Sequence, residues 1–484
     1  MKSVRSFAAV TATALVVIAG IWSMAGAQNV PNRPPLPFPS NYDFPATNLQ
    51  ALIDKRDVAG LRRHGWYLWA GLNQPGYDRW PIWRSWHIPT QLFPSPPGAA
   101  EQPRRTSRAS LVLNNAPTDG NAPINLAIPV YLIPQAVRDK HKEALKNITE
   151  SAMIPDGENF QNNGDLMLVA EPYSQPSFEF LQSNQLYLQS KLQALLSGGS
   201  KVIPPGPNTT IVLKHMYWPV KRHGLTALPV ADMSRYDKPA VPDTTYVGFE
   251  NMERWPNAVA IDPERRLRPK RRADVTYLHD VAHPYSGQGP LQPWGPNKYR
   301  NVRVVPISNF YYKQISKQEY DSFSTYDRVL LDASFYWVHK RLFEPGDYLV
   351  AVASHIVTRE IGQWTLQTVW WYDRPNDTIY SADRPDIPGA IGPWRHYLLN
   401  IEYGLTTHPG TNELPITYNP YIELASHPVV TNCRNCHIRA AWPNGQYMQT
   451  PGPDALANIG PDDPTLFSGK LRTDFLWTIP DRAR

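Results

Sequence analysis

The chain has two cysteines in 484 residues, and they fall together in Cys433-Arg434-Asn435-Cys436-His437. This is C-x-x-C-H, the pattern through which a c-type haem is attached. Two thiols three positions apart can reach the two vinyl groups on one porphyrin edge and form thioethers. The adjacent His437 then lies beneath the iron as its proximal ligand. Three plainer chemistries compete. One is a disulfide with a histidine beside it by accident. With 13 histidines in 484 residues, a given position is His roughly once in forty, so the coincidence is rare. A thioredoxin-like redox pair needs a helix N-terminus after a strand in a βαβ setting, which residues 426–432 do not announce. A zinc site needs four ligands, and His427 is the one further histidine close to these three residues. One covalent haem c per chain is the leading expectation.

The motif leaves the sixth iron position open. Met448 is the nearest thioether, and a Met ligand would raise the reduction potential. His355 is a polar residue inside the apolar run 352–357 and needs a partner if buried. His396, His408 and His427 also precede the motif. An iron without a sixth protein ligand would point to small-molecule chemistry instead. Trp394, Tyr397, Tyr403, Tyr418, Tyr421, Trp442 and Tyr447 crowd the surrounding segment. Ordinary packing accounts for them, with Trp442 covering the haem edge and lowering the local dielectric. Arg434 and Arg439 flank the thiols, where propionates or solvent are equal alternatives. No Ser-His-Asp arrangement, P-loop or dinucleotide fingerprint stands in its required context.

The elements that must position these groups follow from the rest of the chain. Lys2 and Arg5 precede an apolar run at 7–22 and then Ala25-Gly26-Ala27. Those are the three parts of a secretory signal peptide at 1–27, cut after Ala27. An exported, periplasmic location follows, in an oxidising compartment where covalent attachment prevents loss of the cofactor. No later segment approaches the uninterrupted apolar length of a membrane span, so none is expected after cleavage. Residues 28–45 form a Pro-rich lead-in, 46–400 a β-rich body of one or two subdomains, and 401–484 the haem c-bearing segment. The 50 prolines are about twice the average share and favour short strands and rigid loops over a helical bundle. A helix is expected at 48–72, interrupted at Gly60 or Gly65. A second, over 178–196, is capped by Ser177 and closed by Gly198-Gly199. Strand-like runs occupy 124–132, 210–220, 257–261, 302–307, 348–357 and 364–372, the last two as a hairpin in the middle of a sheet. The fold class is therefore mainly β with a few helices (α+β), a large β-rich body with a loop-rich C-terminal haem c segment. No repeat of twenty to fifty residues supports a solenoid or propeller.

The net charge of +6 includes Lys2 and Arg5, which leave with the signal, so the mature surface is mildly basic. The dense basic run 264–272 reads as a solvated loop or a dock for an acidic partner, not as a nucleic-acid surface.

The stretch N-P-Y-I-E-L-A-S-H-P-V-V-T-N-C-R-N-C-H-I-R-A-A-W-P resembles large exported proteins of the cytochrome c family. The likeness extends to the hairpin A-S-H-I-V-T-R-E-I-G-Q-W-T-L-Q-T-V-W-W and to the helix before Gly198. It implies haem c at Cys433, Cys436 and His437. The chain departs from compact cytochromes c in having its motif near the C-terminus with no clear helix leading into it. One-electron transfer to an unidentified periplasmic redox partner is the expected function. The alternatives are a haem-dependent oxidoreductase or peroxidase-like enzyme, or a non-enzymatic haem sensor.

Overall fold

The computed structural model describes residues 33–77, 80–94, 132–149, 154–162, 167–232, 255–264, 271–277, 282–284, 291–293, 297–404, 407, 410–422, 432–445 and 456–484. The expected signal peptide, nearly all of the expected strand at 124–132 and most of the basic run lie outside them.

The architecture is α+β with a sheet-rich body, as the composition implied. Its main sheet joins β1 (Leu168–Ala170), β2 (Ile211–Val220), β9 (Tyr312–Gln314), β10 (Tyr348–Thr358), β11 (Thr365–Trp371) and β12 (Tyr397–Glu402). The order is β1-β2-β10-β11-β12, with β9 also on β10, and every pairing is antiparallel. A second sheet joins β3 (Thr226–Val230), β4 (Asn257–Asp262), β5 (Arg272–Tyr277) and β8 (Asn297–Pro306), with β4 and β8 parallel. Two small hairpins pair β6 (Ala282–Pro284) with β7 (Leu291–Pro293), and β13 (Ala441–Trp442) with β14 (Leu471–Arg472).

The expected hairpin is β10–β11, and it stands at the centre of the main sheet with Ala353 opposite Trp370 and Thr358 opposite Thr365. Every residue of β11 is buried. That fits a β-branched and aromatic strand covered on both faces. Its polar members find partners across the pleat, as where the Thr358 and Thr365 hydroxyls meet at 2.6 Å.

Two helices differ in detail from expectation. The 48–72 run is α1 (Leu49–Asp54) and α2 (Val58–Leu72), and it breaks at Arg56, whose φ is 55°, not at a glycine. Asp57 restarts it by accepting from the Gly60 amide at 2.8 Å, a good N-cap. Gly65 instead serves packing: a Cβ there would lie 3.0 Å from both Gln367 and Leu399, so its absence lets α2 approach the sheet. The 178–196 run is α3 (Gln175–Ser183) and α4 (Gln189–Ser197), divided near Gln185, φ 54°. Ser174 occupies the N-cap position, while Ser177 is buried and donates to the Ile211 carbonyl at 2.8 Å. Gly199, at φ 84°, closes α4 as expected. A further helix, α5 (Thr325–His339), starts from a Ser324–Asp327 capping box that the sequence reading passed over.

The lead-in packs against the body. The Leu36 amide donates to Ser85 Oγ, and Trp86 Nε1 donates to the Leu36 carbonyl, both at 2.8 Å. Residues 400 and 401 both lie within β12. The chain beyond it shares a second core with α3, α4 and the β10–β11 end, in which Trp442, Leu471 and Ile479 meet Tyr173, Leu181, Leu192, Val357 and Leu366. Backbone bonds tie it there, from Gln189 to the Arg484 carbonyl and from Ile203 to the Arg472 carbonyl. Among the described residues, no helix is long and apolar enough to cross a membrane.

Candidate functional site

Cys433, Cys436 and His437 lie on α6 (Cys433–Ile438), a single short helix. Asn432 determines where it starts. In extended conformation, it accepts from the Asn435 amide at 3.1 Å through Oδ1. Through Nδ2 it donates to Glu402 Oε2 at 2.8 Å and to the Pro415 carbonyl at 2.7 Å. Glu402 is the last residue of β12 and is completely buried. The first turn of the motif is thus attached directly to the edge strand of the main sheet.

Helical spacing places the two cysteines on one side of α6, three residues apart. Both are half-buried, and Cys433 packs on the second core. Its Sγ donates to the Thr417 carbonyl at 3.7 Å. His437 is half-buried as well, and its Nδ1 faces the Phe475 carbonyl at 2.8 Å. A carbonyl can only accept, so Nδ1 carries a proton, and in the neutral imidazole the lone pair is on Nε2. That is the arrangement a metal-ligating histidine requires.

The carbonyl is aimed by an unusual turn. Asp474 and Phe475 have φ of 48° and 68°, a left-handed pair that is rare for a bulky side chain. Asp474 is held by Arg359, which follows β10, with Nε 2.9 Å from Oδ2. The Thr473 amide donates to the Ala440 carbonyl at 2.9 Å, and Trp477 Nε1 donates to the Cys436 carbonyl at 3.1 Å. Strain in such a turn persists where its surroundings over-determine it.

Arg434 and Arg439 are both buried, not exposed, and the Arg434 donors are committed to protein. Arg434 Nε donates to Gln363 Oε1 at 3.0 Å, and its terminal nitrogens bond Asn458 and the Ile459 carbonyl. Burial lowers its pKa, and the nearby Glu402 opposes that shift. Arg439 Nε donates to Asn435 Oδ1 at 3.1 Å. Trp442 is buried in the same core as Cys433.

The sheet register places His355. It stands opposite Thr368 and Lys214, and so on the same face as Val357, whose partner Leu366 pairs in turn with Glu402, the residue bonded to Asn432 before the motif. One pleat repeat, about 7 Å, separates His355 from Val357. His396 precedes β12 at the end remote from Glu402, so it is not brought to the motif. Met448, His408, His427 and Tyr447 lie outside the described residues.

The helix N-terminus demanded by a thioredoxin-like pair is present, but β13, the next described strand, pairs antiparallel with β14 and completes no βαβ unit. Among the described residues, no three His, Cys, Asp or Glu side chains converge on a point that could hold an ion. In a haem c site only the histidine faces the metal, and the thiols bond to the porphyrin edge. Of the groups sequence reasoning missed, Asn432 carried a signal, being a capping residue directly before the motif. The Phe475 carbonyl carried none.

No protein-family model matches the chain, and neither does any curated protein or solved structure at a significant level.

Proposed function

We propose that this chain is an exported c-type haem protein in which Cys433 and Cys436 hold one porphyrin through thioethers and His437 Nε2 ligates its iron. Its role in this reading is one-electron transfer with a periplasmic redox partner. The observation that carries the proposal is the hydrogen bond from His437 Nδ1 to the Phe475 carbonyl, set beside two half-buried thiols on one helical turn. The bound haem would supply the one-electron couple.

The chain's own residues do the remainder. The Phe475 carbonyl orients the imidazole and raises its basicity, which favours the oxidised metal. The Arg359–Asp474 ion pair holds that carbonyl in place. Trp442 and the second core keep water from the thiol side. Asn432 and Glu402 keep the helix in register with the sheet.

The test is an optical spectrum of protein made with haem-attachment machinery, before and after denaturation in alkaline pyridine with dithionite. Haem that remains with the denatured chain, and is lost in a Cys433→Ala/Cys436→Ala variant, supports the proposal. A six-coordinate low-spin native spectrum supports the carrier role. A colourless protein overturns the haem reading, and a five-coordinate iron overturns simple electron carriage.

A further inference from the structure

The main sheet carries a second feature on its other face. Along β2, Lys214 faces with His355 towards the motif side, so His215 and Tyr217 point the opposite way, towards α2. At Tyr217, β10 bulges between Ala351 and Ala353 and exchanges one neighbour for another, pairing with β9 up to Val350 and with β11 from Ala353. Bulges of this kind open local gaps and recur beside binding sites. Here the gap is an open cleft of ≈ 390 Å³, within the range of small-molecule sites.

Its lining is aromatic and cationic. Trp80, Trp83 and Tyr311 form walls, Arg84 and Lys313 reach in from two different elements, and no acidic residue lines it. Lys313 lies 5.3 Å from the centroid of the Trp80 ring and is paired with Glu319. Arg84 lies 5.9 Å from the centroid of the Trp83 ring, and among the described residues no carboxylate meets it. Burial and the Arg84 charge lower the Lys313 pKa to about 6, so Arg84 is the cleft's standing cation at neutral pH.

The floor holds an unmet hydrogen-bonding group. Tyr217 is 4% exposed, and its hydroxyl makes no hydrogen bond of full geometry among the described residues, while the Arg84 guanidinium lies close enough to act on it as a charge and as a donor, which leaves the hydroxyl proton uncommitted. Its strand neighbour His215 is likewise buried with neither ring nitrogen bonded. Two such groups side by side, with ring centroids 6.3 Å apart, are uncommon in a native interior.

We propose that this cleft binds a small organic anion with a flat apolar body, of the class of aromatic carboxylates. The Arg84 guanidinium would take the carboxylate, the Tyr217 hydroxyl would donate to it, and the tryptophan walls would cover the ring. The proposal is independent of the haem: a protein without haem retains the cleft, and a cleft without ligand leaves the haem spectrum unchanged.

Isothermal titration of the full chain with benzoate tests it. Benzoate should bind wild type, and benzamide, which has the same shape without the charge, about tenfold or more weakly. Arg84→Gln should weaken benzoate binding about tenfold to a hundredfold, as expected for a lost charge-assisted bond. Tyr217→Phe, which removes one oxygen and preserves packing, should weaken it several-fold. Lys146→Gln, at an exposed site, should leave it unchanged. Melting curves of each variant separate lost binding from lost folding, and Tyr217→Phe carries the test if Arg84→Gln does not fold. Absence of benzoate binding overturns the proposal, as does equal binding of benzamide. Unchanged affinity in folded Arg84→Gln or Tyr217→Phe does the same.

Discussion

Replacing His215 by phenylalanine should make the protein less sensitive to acid. His215 is 1% exposed, stacks on Trp83 with ring centroids 3.9 Å apart, and bonds through neither nitrogen. Burial, reinforced by the charge on Arg84, pulls its pKa down to about 3. In the unfolded chain it protonates near ~6.5. Between those values the unfolded state binds more protons than the native state. Stability is therefore full above about pH 6.5 and falls by about 1.4 kcal/mol per pH unit below it. At pH 5 the loss from this one residue is about 2 kcal/mol. Phenylalanine keeps a ring against Trp83 and cannot titrate. Any misfit it introduces is the same at every pH, so the difference between two pH values isolates the linkage. Urea unfolding of both proteins at pH 8 and pH 5 should show the variant gaining about 2 kcal/mol on wild type at the lower pH. A stability difference that does not move with pH would mean that His215 titrates normally in the native state, and the reasoning from its burial would be wrong.

Further outcomes follow at three positions. Asn432→Ala removes the cap of α6 and one hydrogen bond to the buried Glu402 carboxylate, and should cost about 2–4 kcal/mol in urea unfolding. Asn432→Asp keeps the cap acceptor but sets a second carboxylate against Glu402, so it should not restore wild-type stability. Gly157→Ala should cost about 1–3 kcal/mol by overpacking, because a Cβ there would lie 2.6 Å from the Asp327 backbone nitrogen; a wild-type melting temperature would refute this. Arg434→Lys retains the charge but cannot reach Gln363, Asn458 and Ile459 together. It should lower stability by about 2 kcal/mol, measured by the same denaturation.

Some elements were legible in the sequence for a clear physical reason. The hairpin β10–β11 was readable because β-branched and aromatic residues concentrate in two runs bounded by Gly362 and its neighbours, and burial on both faces leaves little room for another assignment. Breaks inside helical patterns were not. Arg56 and Gln185 adopt left-handed backbone without being glycine, and the positions that looked like breakers, Gly60 and Gly65, are inside α2 because tertiary packing overrides their low propensity. At the motif, the residue types and the spacing of Cys433, Cys436 and His437 were visible. The group that fixes the imidazole was not, because it is a backbone carbonyl 38 positions away, and its orientation depends on the φ values of Asp474 and Phe475 and on an ion pair with Arg359. No residue-type pattern encodes that. Likewise, the sequence left Arg434 and Arg439 equally open to propionates and to solvent. Their burial follows from acceptors on Gln363, Asn458 and Asn435, which only the fold brings near.

These long-range bonds also explain why a six-residue helix is accompanied by so much protein. An isolated helix of that length has no stability in water, since one costly nucleation is followed by too few propagating bonds. The geometry of the two thiols and the imidazole is therefore borrowed from outside the helix. Asn432 takes it from the buried end of β12, Arg434 from Gln363 beyond the tip of β10, and His437 from a turn clamped by Arg359. All three anchors lie at the same end of the main sheet, where β10, β11 and β12 are hydrogen-bonded in register. The rigid element behind the motif is a sheet whose end is fixed by its own core.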